Sequence, residues 1–271
     1  MSVPECGGKP MRSEKTQKQI YINPFNAVLA ALIKHKVQYI VIGGQAVVVY
    51  GASQFTRDAD FWINPTKINL NRLKKALKEL KTTPRFLPPL KLSYLKKGHG
   101  VHFRFSYKGH NFLIDILGKP PRVSGFLPAW KNAEPIQWHG LKIPVLDIRR
   151  LVDTKKTNRE RDYLVIQSLT ELVFENAIRN KSTQKLVAGW LAKESRNPSH
   201  LKMIARTWKN GKKVLLESKR PAAILAAQGA TVPQIKAELE IEKERLKKEN
   251  IEYWRPLIHE LRRLRQLQRK K

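Results

Sequence analysis

The sequence predicts a mixed α/β (α+β) fold, in which a mixed sheet is flanked by helices and followed by a helical C-terminal extension. Three observations predict it. Up to about residue 146, short apolar strands alternate with amphipathic helices. Two pairs of strand-like segments are joined by Gly-containing turns. From about residue 181 onward only helical patterns remain. The chain has 271 residues, 41% hydrophobic and 8% aromatic, enough for a packed core, and this excludes wholesale disorder.

The elements follow in order. Residues 1–19 are polar and predict a flexible N-terminus. Asn23–Lys36 reads as a helix, with Asn23 as cap and Pro24 in its first turn. Tyr39–Ile42 is a strand ending at Gly43-Gly44, and Gln45–Ala52 a short buried helix. Asp58–Ile63 is a second strand. Thr66–Lys81 is a helix turning Ile68, Leu70, Leu73, Leu77 and Leu80 inward. Arg85–Leu90 is a Pro-rich connector. Val101–Tyr107 and Asn111–Leu117 flank Lys108-Gly109-His110 as a hairpin. Glu134–Trp138 and Leu141–Ile143 form another around His139-Gly140.

After Pro144 the chain turns helical over Asp147–Lys156, capped by Asp147, and over Arg159–Asn180. Pro198, Pro221 and Pro233 stand where helices begin, and Pro256 is expected to kink or break the last one. The expected organisation is a core over 20–146, a helical segment packed on it over 147–180, and a basic all-helical extension over 181–271.

Composition narrows the function. The lone Cys6 excludes a disulfide framework and a multi-cysteine zinc site. No 18-residue apolar run exists, so no membrane span is expected. The first residues lack a signal segment, so the expected location is cytoplasmic. Gly7-Gly8-Lys9 lacks the earlier glycine and the following hydroxyl of a phosphate loop. The net charge of +31 exceeds any need for solubility and points to a polyanionic partner. It is spread along the chain: +17 over residues 1–171, +9 over 172–231 and +5 over 232–271.

Against that background the acids stand out. Between residues 20 and 130 there are 17 Lys and Arg but four acids, Asp58, Asp60, Glu79 and Asp115. Glu79 belongs to the polar face of a helix; the other three lie in strand-like segments. Asp58 and Asp60 are at i and i+2, so they share a strand face. Taken singly, Asp58 would pair with Arg57 and Asp115 with a lysine. Together, clustered carboxylates cost several kcal/mol per ion (roughly) without compensation, and a divalent cation supplies it. Oxygen ligands of this kind suit Mg²⁺, which binds substrate phosphates alongside. A strand running into Gly43-Gly44 and a helix lets backbone N–H groups approach an anion. His99, His102 and His110 fit zinc poorly and read as nucleic-acid contacts or plain exposed residues.

Gly43-Gly44, then Asp58-Ala59-Asp60, then Asp115 in an apolar strand resembles the nucleotidyltransferase superfamily that contains DNA polymerase beta. The run Gly-Gly-Gln-Ala-Val-Val-Val-Tyr-Gly followed by Thr56-Arg57-Asp58-Ala59-Asp60 is similar to AbiEii-type abortive-infection nucleotidyltransferases. So is Ile143-Pro144-Val145-Leu146-Asp147 followed by Lys155, Arg159 and Arg161-Asp162. Gln54 and Gly44 stand where relatives commonly carry Arg and Ser.

The resemblance implies a nucleotidyltransferase-type sheet and roles for named residues. Asp58, Asp60 and Asp115 would be the catalytic and metal-binding carboxylates, holding two Mg²⁺ ions. Gly43, Gly44, Arg57, Lys155 and Arg159 would bind the NTP, with Lys156 a further phosphate contact. The charge makes RNA, tRNA first, the expected acceptor. The alternatives are modification of a cognate toxin or antitoxin partner and a non-catalytic RNA-binding protein.

Overall fold

The computed structural model describes residues 23–53, 56 and 58–269. The expectations for residues 1–19, Gln54 and Arg57 lie outside the described residues.

Helix α1 spans Pro24–Lys34, and the Asn23 side chain accepts from the Phe25 N–H at 3.0 Å. Its inner face buries Phe25, Val28, Leu29 and Leu32 against the sheet. Strand β1 (Tyr39–Ile42) is buried throughout. Helix α2 (Gly43–Val49) begins two residues before its expected start, directly at the glycines. Strand β2 spans Asp58–Ile63.

Helix α3 spans Lys67–Glu79, with the Thr66 hydroxyl accepting from the Asn69 N–H. It corrects one expectation: Ile68 is 69% exposed. At about 100° per residue, Ile68 stands far around the helix from the buried stripe of Leu70, Leu73 and Leu77.

Strand β3 (Thr83–Pro84) and helix α4 (Leu92–Lys97) precede the hairpin of β4 (Val101–Tyr107) and β5 (His110–Leu117). Lys108 and Gly109 alone make its turn, both with positive φ. His110 is therefore a strand residue paired with Tyr107, not part of the turn. After α5 (Phe126–Lys131), strands β6 (Glu134–Trp138) and β7 (Leu141–Val145) meet at His139-Gly140.

The seven strands run in the order β3-β4-β5-β2-β1-β7-β6. Pairings β2–β5 and β1–β7 are parallel and the rest antiparallel, so the sheet is mixed. Helices α6 (Ile148–Thr154) and α7 (Glu160–Arg179) follow. The Asp147 carboxylate caps α6 by accepting from the Arg150 N–H.

Helices α8 (Gln184–Glu194), α9 (Pro198–Thr207), α10 (Gly211–Glu217) and α11 (Pro221–Ala227) bury a second apolar cluster with the end of α7 and the start of α12. Helix α12 runs unbroken over Val232–Arg269, 38 residues that include Pro256. The proline removes one N–H but does not end the helix, and side-chain contacts on either side of it reach the rest of the molecule. Arg122 donates to Glu249, and Lys97 to Glu260. Among the described residues no helix is long and apolar enough to cross a membrane.

Candidate active site

The parallel pairing of β2 with β5 sets Asp60 directly opposite Asp115, with Asp58 one pleat earlier on the same strand face. Gly43 makes room for them. Its φ is +64°, and a Cβ there would stand 1.8 Å from the Asp60 Oδ2. The Gly44 N–H donates to that same oxygen at 3.3 Å. The Thr56 hydroxyl donates to Asp58 at 2.5 Å. The strand–Gly-Gly–helix turn thus admits and holds a carboxylate.

All three carboxylates line one cavity of about 800 Å³, together with His102, Lys155 and Arg159. Burial, then the charges of Asp115 and Asp58, push the Asp60 carboxyl up to about 7; Lys155 and the Gly44 N–H oppose this. Burial first, and the nearby Asp115 and Asp58 charges second, therefore make ionising Asp60 costly. The Asp115 Oδ1 accepts from the His102 Nδ1 at 2.7 Å. That bond raises the imidazole pKa against the effect of burial.

The cations arrive from the segment after the sheet. Lys155 is buried at the C-terminal end of α6, 3.4 Å from the Asp162 Oδ1. Arg159 donates through Nε to Asp162 Oδ2 at 2.9 Å, and the Thr157 hydroxyl donates to the same oxygen. Asp162, itself buried, ties both cations beside the cavity. Gly43 lines an adjoining cavity of about 290 Å³ with Asp60 and Lys155.

The structure thus brings Asp58, Asp60, Asp115, Gly43, Gly44, Lys155 and Arg159 together at one end of the sheet. Lys156 does not join them, because Asp153 and Glu194 engage it. His99 corrects an expectation. It is 1% exposed and bonded to Glu260 at 2.8 Å, so it is not a surface contact. His110 stays exposed beside the hairpin turn.

Sequence reasoning missed the bonds of His102 to Asp115 and of Thr56 to Asp58, and the last helix, which contributes Trp254, Leu257, Ile258 and Leu261 to the cavity. Hairpin register was the signal for His102. With Tyr107 opposite His110, counting outward places His102 opposite Asp115.

Asp58, Asp60 and Asp115 are the groups that could hold a cation. Among the described residues, no group of three or more His, Cys, Asp or Glu is arranged so as to hold a metal ion by itself. The donor chemistry still fits Mg²⁺, which is bound through one or two carboxylates and completes its shell with water and phosphate oxygens. A buried carboxyl raised further by two neighbouring carboxylates is also a group a cation would relieve.

No protein-family model matches the chain, and no curated protein matches it. Among solved structures, the solution structure of the antibiotic-resistance factor ANT(2'')-Ia is similar, at 11% identity and a TM-score of 0.34. The match covers 84% of this chain and 93% of that one. So distant a likeness leaves the function to be argued from the site.

Proposed function

We propose that the chain is a Mg²⁺-dependent nucleotidyltransferase that moves a nucleotide from an NTP to a hydroxyl of RNA, with tRNA the first species to test. One observation carries this reading: Asp60 and Asp115 face each other across parallel strands, with Asp58 beside them, in a cavity flanked by Lys155 and Arg159. Asp58, Asp60 and Asp115 would hold the cation. When bound, Mg²⁺ neutralises the triphosphate and the charge developing at the reacting phosphorus.

The chain's own residues do the rest. Asp115 takes the proton of the acceptor hydroxyl, and His102 keeps that carboxylate oriented. The hydroxyl oxygen bonds to the α-phosphorus, the bond to the α,β-bridging oxygen breaks, and pyrophosphate leaves with the electron pair. Lys155 and Arg159 balance phosphate charge while Asp162 fixes their position. Gly43 and Gly44 border the β- and γ-phosphates. The charge of +31 supports a polyanionic acceptor over a cationic one. A setting in a toxin or phage-defence system, with a cognate partner, rests on the sequence resemblance alone.

Incubation with labelled NTPs, with RNA and protein products resolved side by side, tests the reading. Label should enter RNA. Asp58→Ala, Asp60→Ala and Asp115→Ala should each reduce it by on the order of a thousandfold, as removal of a preorganised electrostatic group does. Full labelling by any of the three overturns the catalytic assignment, and label in protein alone reassigns the acceptor.

A further inference from the structure

The last helix gives the cavity a wall that phosphate chemistry does not use. Trp254, Leu257, Ile258 and Leu261 line it at spacings i, i+3, i+4 and i+7, a single helical face. The same cavity is lined by the three carboxylates, with Lys155 and Arg159. Ile258 remains 43% exposed although it borders a cavity.

The wall is held in place by the core. Arg122 donates to Glu249, and the Asn158 N–H donates to the Asn250 Oδ1 at 3.2 Å. Beyond Trp254, Glu260 meets Lys97 at 2.6 Å and the buried His99 at 2.8 Å. Trp254 also borders the adjoining cavity with Gly43, Asp60 and Lys155. Trp254 therefore borders both the cavity that holds the apolar strip and the one beside Gly43 and Lys155.

A nucleoside triphosphate has the same polarity, with a polyanion at one end and a flat aromatic base at the other. We infer that this face of the last helix is the nucleobase platform of the NTP site: Trp254 stacks on the base, and Leu257, Ile258 and Leu261 cover the base and sugar. The inference rests on the nucleotidyl-transfer reading and specifies its substrate end. Leu257, Ile258 and Leu261 carry no hydrogen-bonding side chain and Trp254 only its indole N–H, whereas every base has a π-face. The platform therefore grips the base while discriminating little among the four.

Calorimetry with Mg²⁺ and each of ATP, GTP, CTP and UTP tests this, with inorganic tripolyphosphate as a base-free probe. A stacked base contributes roughly 1–3 kcal/mol, so Trp254→Ala should weaken all four NTPs by about 5- to 150-fold. Tripolyphosphate binding should not change, and Trp254→Phe should recover most of the NTP affinity. Circular dichroism of each variant accompanies the titrations. Unchanged NTP affinity in Trp254→Ala overturns the platform and leaves the nucleotidyl-transfer reading standing. Equal loss of NTP and tripolyphosphate makes Trp254 a structural support and also overturns it. Intact NTP binding with weakened RNA binding gives the wall to the acceptor. A wild-type protein that binds neither probe sinks the nucleotidyl-transfer reading itself.

Discussion

The sheet end and the helical end of the molecule both bury charge, and they treat it in opposite ways. In the helical half, Arg196 and Arg220 are each 7% exposed and both donate to Glu242, at 3.1 and 2.8 Å. Arg220 also donates to the carbonyls of Ala192 and Ser195, and Arg196 to that of Leu239. Each charge there has an opposite charge in contact. At the sheet end, Asp58, Asp60 and Asp115 gather around one another, and the nearby Lys155 leans on Asp162 instead. Paired burial fixes how helices meet. Like charges gathered together cost stability even where His102 meets Asp115, and such clusters mark places where a ligand completes the balance.

Three predictions sharpen or break that comparison. The largest effect belongs to the paired end. Glu242→Gln leaves two buried guanidinium groups without their anion, and should cost about 3–5 kcal/mol in denaturant unfolding. Asp60→Asn, at the other end, should leave stability unchanged or raised. If the two variants lose equal stability, the contrast is wrong.

Gly43→Ala comes next. A left-handed φ costs a non-glycine residue roughly 1–2 kcal/mol, and the added Cβ collides with the Asp60 carboxylate. Unfolding should show that modest loss, while nucleotide labelling should fall far more steeply because Asp60 is displaced. Labelling that survives in a folded Gly43→Ala protein would remove Asp60 from the chemistry.

The third effect is gradual, a pH slope of at most about 1.4 kcal/mol per pH unit, the limit for one proton. Asp60 is raised from an ordinary 3.8 to about 7 in the folded protein. The unfolded chain thus releases this proton near pH 4 while the folded protein keeps it until near 7. Stability is greatest below the unfolded value, falls as pH rises between about 4 and 7, and levels off above. Melting wild type and Asp60→Asn across that window without divalent cation should show the variant lacking this component. Parallel curves would place the titration elsewhere.

Much of the site was legible because its acids are scarce. In a stretch rich in Lys and Arg, Asp58, Asp60 and Asp115 could be singled out from composition and strand alternation alone. His102 was not. Taking the hairpin turn as Lys108-Gly109-His110 shifts the register by one residue, and that moves His102 from Asp115 to a neighbour on the other face. Trp254 was hidden for another reason: it lies 139 residues after Asp115, and no local pattern links the two.

The sequence by itself determined the local elements. Strands Tyr39–Ile42, Asp58–Ile63 and Val101–Tyr107 follow from segments rich in β-branched and aromatic residues bounded by turn formers, and Glu134–Trp138 from its place before the His139-Gly140 turn. The caps Asn23, Thr66 and Asp147 follow from side chains that can accept a backbone N–H. Tertiary structure alone decided that β2 lies beside β5 in parallel, which puts Asp60 against Asp115. It alone carried α12 through Pro256 and back over the cavity. Capping and alternation act over a few residues, whereas strand order and helix docking depend on which distant surfaces bury each other. Polar contacts such as Glu249 with Arg122 and Glu260 with Lys97 then accompany that choice.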